Sequence, residues 1–523
     1  MDRKAKRSEE VTGTIRLGID FGTTRIVTAW ADRGNYPIVS LEGEEGSQAF
    51  PYFPSLVAIR GKERLFGHQA WRAQASPEWK LLRSLKRLLA HASPDTEIDL
   101  GSERVPLFSV LVEMAQELRR RLCLSLGPEI EHETLQIMLG VPAHAGTNQR
   151  FFTAEAFRLA GFDVLGLVNE PTAASLEFAQ WRKTRKQSPA KILVYDLGGG
   201  TFDASLVEAG GEEHKILASE GIAELGGDDF DRILAELSLE EAKPGPIGWE
   251  ELDVQERFLL LEECRQKKEA LTPYSRKIVV DLGNVRGGWP LVSVSVEEYY
   301  RRCSPLIEKT LELADRLLEE SLVEGVLEAL YVTGGGSELP LVQRKLREAF
   351  GRKVRRSAYA RTATAVGLAI AAETMSEYRL RERFHRYFGV WREGEEGKVI
   401  TFDTLFPKGL ELPLPGDPPV RLVRRYRAVH NVGRFRFLEC NQLGPDQLPV
   451  GDVLLWDELT FPFDPAFANE KDLANVPVRR LEGCSWEIEE RYACDSTGTV
   501  EVTISNVTTG HRKRYLLGRW ARD

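Results

Sequence analysis

Two segments of the chain share one pattern of apolar and polar positions. In each, an apolar run ends in an aspartate, a turn of glycine and threonine follows, and a second apolar run returns; the segments are 15–30, with Asp20, and 191–207, with Asp196. This pattern predicts two strands joined by a tight turn. Because the segments lie about one domain length apart, we interpret them as an internal duplication, two similar α/β halves that face one another.

Helical patterns lie between and after these turns. Apolar residues recur at helical spacing in 107–126 and 258–271. A third glycine cluster, 333–337, follows an apolar run and precedes the amphipathic segment 341–350, which predicts a turn from strand to helix. A further helix is expected to end near Glu373.

The pattern changes after residue 375. Short β-rich runs alternate with turns that contain proline, glycine or aspartate, and no long helical pattern returns, which favours a β-sandwich. The predicted parts are a disordered N-terminus (1–14), a duplicated α/β unit (15–375, with halves at about 15–190 and 191–375), a linker (376–388) and the β-sandwich (389–523).

Composition excludes several classes of protein. The chain has 523 residues and a net charge of −9, so a duplex-binding protein is not expected. Its six cysteines form no Cys-x-x-Cys pair, and no apolar run approaches the roughly 18 residues of a membrane span. The basic start is followed by no apolar signal core. We therefore expect a cytoplasmic protein that binds neither nucleic acid nor membrane.

The glycine turns predict a phosphate site. Backbone N–H groups at a glycine turn can surround phosphate oxygens, and neighbouring threonine hydroxyls add donors. Asp20, Asp196 and Asp203 would repel a phosphate unless a magnesium ion lay between them, with the carboxylates reaching it through water. Together with the third glycine cluster, they predict a magnesium nucleotide in a cleft between the halves.

The order of these turns resembles the actin, sugar-kinase and heat-shock ATPase superfamily, and several motifs resemble the seventy-kilodalton heat-shock chaperones. These motifs begin at Ile19 (IDFGTT), Ser84 (SLKRL), Val141 (VPA), Asn169 (NEPTAA), Asp196 (DLGGGTFD) and Leu225 (LGGDDFD), with the glycine cluster at 334–336. The resemblance covers about 15–375 and continues into the tail only by pattern. It implies an α/β fold, namely a duplicated actin-like (ribonuclease-H-like) ATPase domain, followed by a β-sandwich resembling the family's substrate-binding domain.

The resemblance also implies cofactors and residue roles. ATP or ADP would bind with Mg²⁺, and Asp20, Glu170 and Asp196 would surround the metal and its waters. Lys86 would neutralise the γ-phosphate, Thr201 would contact it, and these five residues form the implied catalytic set. The implied nucleotide-binding residues are Gly22, Thr23, Thr24, Gly198, Gly199, Gly200, Asp203, Gly226, Gly227, Lys268, Gly334, Gly335 and Gly336.

The base-binding end departs from the family pattern. Two family arginines that hold the adenine base are matched here by Glu269 and Glu338, and a family aspartate is matched by Arg361. A carboxylate cannot supply the stacking that a guanidinium gives. Lys268 is retained and is expected to reach a ribose hydroxyl. We expect weaker nucleotide binding, or a base that is held differently.

Two further departures concern coupling and length. Gly166 stands where the family has an arginine that docks J-domain partners. The linker contains cationic and aromatic residues where the family linker is aliphatic. We therefore do not expect ordinary stimulation of ATP hydrolysis by a J-domain protein. The sequence contains no helical lid after the sandwich, so we expect weak, fast-releasing polypeptide binding. Apolar tail residues would form either a client groove or the sandwich core: Phe435, Phe437, Leu454, Trp456 and Phe461.

The leading hypothesis is a chaperone-like protein that hydrolyses ATP slowly and couples nucleotide state to the binding of an unfolded or extended polypeptide. One alternative is a metabolite kinase of the same superfamily, although its second half would not be followed by a β tail. Another is a weakly active nucleotide-binding scaffold, which the two glutamates favour and the intact set of Asp20, Lys86 and Glu170 opposes.

Overall fold

The computed structural model describes most of the chain from residue 14 to residue 517. The described residues are 14–41, 49–74, 76, 78–89, 92, 96–99, 104–127, 134–143, 145–182, 190–210, 213–222, 224–242, 248–321, 327–373, 379–381, 383–384, 386–394, 399–414, 417–470, 472–481, 483 and 486–517. The predicted disordered N-terminus, 1–14, lies outside this range except for Thr14, which begins the first strand.

Helices and strands alternate in the first 373 residues. Within the described part of the chain, the α-helices are α1 (Gly67–Ala73), α2 (Leu85–Leu88), α3 (Leu107–Leu126), α4 (Thr147–Leu159), α5 (Glu170–Arg182), α6 (Gly227–Glu241), α7 (Val254–Glu269), α8 (Val296–Ser321), α9 (Pro340–Phe350) and α10 (Ala363–Glu373).

The strands of this part precede or separate those helices. They are β1 (Thr14–Phe21), β2 (Arg25–Trp30), β3 (Phe53–Pro54), β4 (Leu56–Arg60), β5 (Glu63–Phe66), β6 (Lys80–Arg83), β7 (Glu97–Asp99), β8 (Arg104–Pro106), β9 (Thr134–Val141), β10 (Asp163–Asn169), β11 (Ala190–Leu197), β12 (Phe202–Gly210), β13 (Glu213–Ile222), β14 (Lys277–Asp281), β15 (Leu291–Ser295), β16 (Ala329–Thr333) and β17 (Val354–Arg356).

Two sheets of matching topology confirm the predicted duplication. The first has the order β10-β9-β1-β2-β3, and the second contains the order β17-β16-β11-β12-β13. In each sheet, the strand that ends in the motif aspartate pairs antiparallel with the next strand and parallel with a later one. We call the units built on these sheets the first lobe and the second lobe.

Helices α5 and α10 cross between the lobes with almost no space between them. A Cβ on Gly367 would lie 1.8 Å from the carbonyl oxygen of Ala173, and one on Gly18 would lie 2.1 Å from the backbone nitrogen of Ala369. Helix α10 therefore packs directly on β1 and α5, although the sequence analysis placed it, within 191–375, in the second half. The glycines permit this close approach because they have no side chain.

The tail folds as two four-stranded antiparallel sheets, as the pattern predicts. Its strands are β19 (Tyr387–Gly394), β20 (Val399–Phe406), β21 (Val420–Arg427), β22 (Val432–Leu443), β23 (Pro449–Pro462), β24 (Glu487–Cys494), β25 (Val500–Asn506) and β26 (Arg512–Leu516). The sheet orders are β20-β19-β22-β23 and β21-β24-β25-β26. Phe435, Phe437, Trp456 and Phe461 are buried in the core, which favours the core interpretation over the groove; Leu454 is half-buried.

The predicted linker, 376–388, contains regular structure. Its residues Arg379–Arg381 form strand β18, which pairs in parallel with β13 and extends the sheet of the second lobe. The last two predicted linker residues already belong to β19. Strand pairing uses backbone groups, so it does not need the aliphatic side chains that the linker lacks; residues 376–378, 382 and 385 lie outside the described residues.

The sandwich contacts the first lobe at the start of α4. Both carboxylate oxygens of Glu439 accept a hydrogen bond from the backbone N–H of Thr147, at 3.0 and 3.1 Å. The rings of Phe151 and Phe152 pack edge-on against Trp456, with centroids 6.1 and 6.5 Å apart. One hydrophobic cluster consequently runs from the first lobe into the sandwich.

Most of the predicted helices are confirmed, with small shifts. Helix α3 has the predicted bounds, α7 begins four residues before Phe258 and ends at Glu269, and α10 ends at Glu373. No helix within the described residues is long and apolar enough to cross a membrane.

The close packing of β1 against α10 can be tested with a single methyl group. We expect Gly18→Ala to lower the free energy of unfolding by about 1–3 kcal/mol, because the new Cβ overlaps the α10 backbone, which cannot move like a side-chain end. Chemical denaturation measures the change. Gly287→Ala is the matched control, since its Cβ would meet nothing within 4 Å. Equal stability of the two variants would contradict the packing.

Candidate active site

The two lobes bring their motif aspartates to one cleft. Asp20 is the penultimate residue of β1 and Asp196 is the penultimate residue of β11. Asp203, on β12, lies directly opposite Asp196 in the antiparallel register. Since each aspartate ends its strand beside a glycine turn, the repeated topology places the carboxylates and the turns together.

A buried ion pair completes the floor of this cleft. Lys86, on the short helix α2, donates to the carboxylate of Glu170, the first residue of α5, and both side chains are buried. The residue before α2, Ser84, has a φ of 59° and donates to Asp228 at 2.8 Å, which fixes the turn that leads into the helix of Lys86. Burial opposes the charged ammonium, but attraction to Glu170 and Asp20 raises the pKa of Lys86.

Negative charge is in excess on this floor. Burial, with repulsion from Glu170, raises the pKa of Asp20 to about 8 and the pKa values of Asp196 and Asp203 to about 7. A bound cation would relieve this cost. Within the described residues, no group of three or more His, Cys, Asp or Glu side chains is arranged to ligate a metal directly. Carboxylate and water oxygens are the ligands that Mg²⁺ prefers, so the chemistry of Asp20, Glu170 and Asp196 fits this ion.

The glycine turns from the two lobes touch one another. A Cβ on Gly199 would lie 2.2 Å from the hydroxyl oxygen of Thr24, in the turn of the first lobe. Gly334 has a φ of 82°, and a Cβ there would meet the backbone of Leu197 and the carboxylate of Asp196. Any larger residue at these positions would collide with the facing turn, and the backbone N–H of Gly334 donates to the carbonyl of Ala360 at 2.9 Å.

The structure gathers fifteen of the eighteen predicted site residues on the cleft wall. They are Asp20, Gly22, Thr23, Thr24, Lys86, Glu170, Asp196, Gly198, Gly199, Thr201, Gly227, Lys268, Gly334, Gly335 and Gly336. The other three lie directly behind the wall. Gly200 accepts hydrogen bonds from Arg87, Gly226 packs on the backbone of Gly199, and Asp203 lies opposite Asp196.

Lys268 is engaged within the protein. Its ammonium donates to the carbonyl of Gly227 at 2.6 Å and lies 2.7 Å from the carboxylate of Asp231. Burial raises the pKa of Asp231 to about 6, against the attraction of Lys268. The expected contact with a ribose hydroxyl would therefore compete with an existing ion pair.

The end of the cleft away from Lys86 is lined by ion pairs. Glu269 accepts from Arg25 at 2.8 Å and from Arg361 at 3.1 Å, and Arg361 also donates to Glu338. The Glu269 carboxyl is partly buried, yet the nearby guanidinium of Arg25 and then that of Arg361 lower its pKa to about 2. The glutamates that depart from the family pattern are thus held by arginines.

Several lining residues were missed by sequence reasoning. Arg25 and Arg265 face the cleft, as do Asp228 and Thr364. Arg25 directly follows the Thr23-Thr24 turn, and Arg265 lies one helical turn before Glu269, so turn position and i,i+4 spacing could have indicated both.

A cleft between duplicated lobes, with an aspartate at each strand end and glycine turns around it, defines the class of actin-like, ribonuclease-H-like ATPases. A family model described as Hsp70 protein matches residues 116–382, about half of the chain. The chain belongs to the Hsp70 family.

Curated relatives agree with this assignment. The chaperone protein DnaK of Thermosipho melanesiensis is 29% identical over 506 residues, and that of Thermosipho africanus is 28% identical over 504 residues; each alignment covers 94% of this chain and 78% of the relative. The chaperone protein dnaK of Cyanidioschyzon merolae is 27% identical over 396 residues, 69% of this chain and 62% of the relative. Family membership supports ATP hydrolysis and an ATP-dependent chaperone function.

The cation requirement of the floor can be measured without turnover. We expect Mg²⁺ with ADP to raise the melting temperature more than ADP alone, because a ligand that binds only the folded state stabilises it. Asp196→Asn should lose most of the extra increment due to Mg²⁺, whereas the exposed control Asp417→Asn should keep it. An unchanged Mg²⁺ increment in Asp196→Asn would argue against a metal at this floor.

Proposed function

We propose that this chain hydrolyses ATP in the cleft and that the state of the nucleotide controls how the β-sandwich holds an extended polypeptide. The observation that carries the coupling is Arg150. Its Nη1 donates to the side-chain oxygen of Asn169 at 3.0 Å, and its Nε donates to the carbonyl of Thr497 in the sandwich at 3.0 Å. Asn169 directly precedes Glu170, so one side chain joins the cleft floor to the sandwich.

Each residue of the floor has a proposed role. The Mg²⁺ would neutralise charge on the phosphates and would be held through water by Asp20, Glu170 and Asp196. Lys86 neutralises charge that builds up on the γ-phosphate, while Thr201, Thr23 and Thr24 donate hydrogen bonds to phosphate oxygens. Phosphoryl transfer depends mainly on such positioning and charge stabilisation.

A second contact would transmit the change to the sandwich. Glu439 is buried and accepts from the first N–H of α4, the helix that also carries Arg150. Removal from water raises the pKa of the Glu439 carboxyl, so its buried charge costs free energy that the hydrogen bonds from Thr147 and the attraction of Arg386 partly offset. Movement of α4 would therefore loosen or tighten the sandwich.

The expected partner is an unfolded or extended polypeptide, and stimulation by a J-domain protein is not expected because Gly166 offers no cation. A cytoplasmic location stays a prediction from the sequence. The metabolite kinase is disfavoured by the β-sandwich that follows the second lobe. The ion pairs of Glu269 and Glu338 support the alternative of a weakly active scaffold. Measured ATP turnover distinguishes that alternative from the chaperone.

Removal of the floor ammonium should separate hydrolysis from binding. We expect Lys86→Ala to lower ATP turnover at least about 100-fold, since charge on the leaving phosphate is no longer neutralised, while some nucleotide binding remains. Single-turnover hydrolysis and calorimetry measure the two quantities. Lys353→Ala, at an exposed site, is the control. Full hydrolysis in Lys86→Ala would show that this role is wrong.

Removal of the sandwich contact should affect coupling alone. In the wild type we expect an unfolded peptide, but not a small sugar, to raise ATP turnover. Glu439→Ala should abolish most of this stimulation and leave basal turnover within about 2-fold, because Glu439 contacts α4 and not the floor. Glu458→Ala, an exposed glutamate of the sandwich paired with Arg436, is the matched control. Stimulation by a sugar instead of a peptide would favour the kinase.

A further inference from the structure

The cleft has two chemically different ends. At one end, the glycine turns, Lys86 and the threonines offer donors to phosphate oxygens, as described above. The other end is lined by Arg25, Arg265, Glu269 and Arg361. A nucleotide whose phosphates lie at the first end must place its base toward the second, so these side chains decide whether the base is recognised.

A single guanidinium joins the two glutamates at this end. Arg361 donates through Nη1 to Glu269 and through Nε to Glu338, although these glutamates belong to separate segments. The gap between the two carboxylates is therefore about the width of one guanidinium group, and Arg361 occupies it. A base could enter that gap only if both ion pairs broke.

Every carboxylate oxygen of the two glutamates at this end is also engaged by an arginine. One oxygen of Glu269 accepts from Arg25 and the other from both Arg25 and Arg361. One oxygen of Glu338 accepts from Arg356 at 2.8 Å and the other from Arg361. Arg25 also makes a cation–π contact with Tyr52, with 4.7 Å between the guanidinium carbon and the ring centre.

The unpaired donors at this end do not face a ligand. The Nε atoms of Arg25 and Arg265 have no hydrogen-bond partner, but both are buried. Stacking on a guanidinium plane is still open to a base, and every base has a face that can stack. Adenine has an amino group where guanine has a carbonyl oxygen, and the carboxylates that would accept from the amino group are already paired with arginines.

We propose that this site recognises the triphosphate and not the base, so that nucleoside triphosphates of all four bases are substrates. This inference rests on the proposed hydrolysis and adds its specificity. Arg361, Glu269 and Glu338 are the determining residues, because Arg361 occupies the gap and its ion pairs engage the carboxylates that would select a base.

The test compares ligands on the full chain. With Mg²⁺ present, calorimetry measures the dissociation constants of ATP, GTP, CTP and UTP, and of tripolyphosphate, and a phosphate-release assay measures turnover of the four nucleotides. We expect the four nucleotide constants to agree within about 3-fold. Tripolyphosphate is expected to compete with ATP for the same site.

A charge-swapped variant makes the inference specific to these residues. In the triple variant Glu269→Arg, Glu338→Arg, Arg361→Asp, the short aspartate side chain does not reach across the space that the Arg361 guanidinium fills, and a guanidinium on either side can stack on a base. We expect it to prefer ATP over GTP by at least about 10-fold, a difference of about 1.4 kcal/mol. The control is the exposed swap Arg436→Glu, Glu458→Arg in the sandwich, which should leave base preference unchanged.

The outcomes separate this inference from the function beneath it. Equal constants in the wild type, with a preference gained only in the triple variant, support it. A wild-type preference for ATP of about 10-fold or more, with hydrolysis intact, overturns the inference and leaves the proposed function standing. If neither the nucleotides nor tripolyphosphate bind, both this inference and the proposed ATP hydrolysis are wrong.

Discussion

The structure depends on burying four carboxylates with one ammonium at the meeting of two sheets. Asp20, Glu170, Asp196 and Asp203 face Lys86 in a space from which most water is excluded, and the raised pKa values of the three aspartates show how unfavourable that charge is. Such a floor is stable only with added positive charge or bound protons. The excess of carboxylate charge on the floor therefore favours a ligand that brings positive charge.

The two ends of the cleft differ in how their charged side chains are balanced. The floor leaves its charge unbalanced, which favours a ligand, whereas the base end balances its charge internally through Glu269, Glu338 and their arginines. Ion pairs of this kind, partly exposed, contribute little to stability. These ion pairs fill space in the cleft and engage hydrogen-bonding groups that a base would otherwise meet. The departures from the family pattern therefore affect selectivity for the nucleotide base more than they affect the fold.

The sequence predicts the repeated parts well because repetition and glycine turns are local signals. Strands β1, β2, β11 and β12, the helices α3 and α9 and the β-sandwich follow from periodicity and turn residues. Helix α8 was not predicted, and it contains Pro305, a residue that interrupts helical patterns. The pairing of Arg25 with Glu269 joins residues 244 positions apart, and the contact of Glu439 with Thr147 depends on how the sandwich docks. No local pattern encodes such long-range partners.

The contact between Gly367 and Ala173 has a mechanical consequence. Helix α5 begins at Glu170 on the cleft floor, and at Glu177 it accepts from Tyr331 and Ser357 of the second lobe. Ala173 lies between them, and Glu170 and Glu177 are about 10 Å apart along the helix at 1.5 Å per residue. One continuous helix thus joins the cleft floor to the second lobe. A side chain at position 367 would collide with the backbone of that helix between its two functional contacts and would disturb both together.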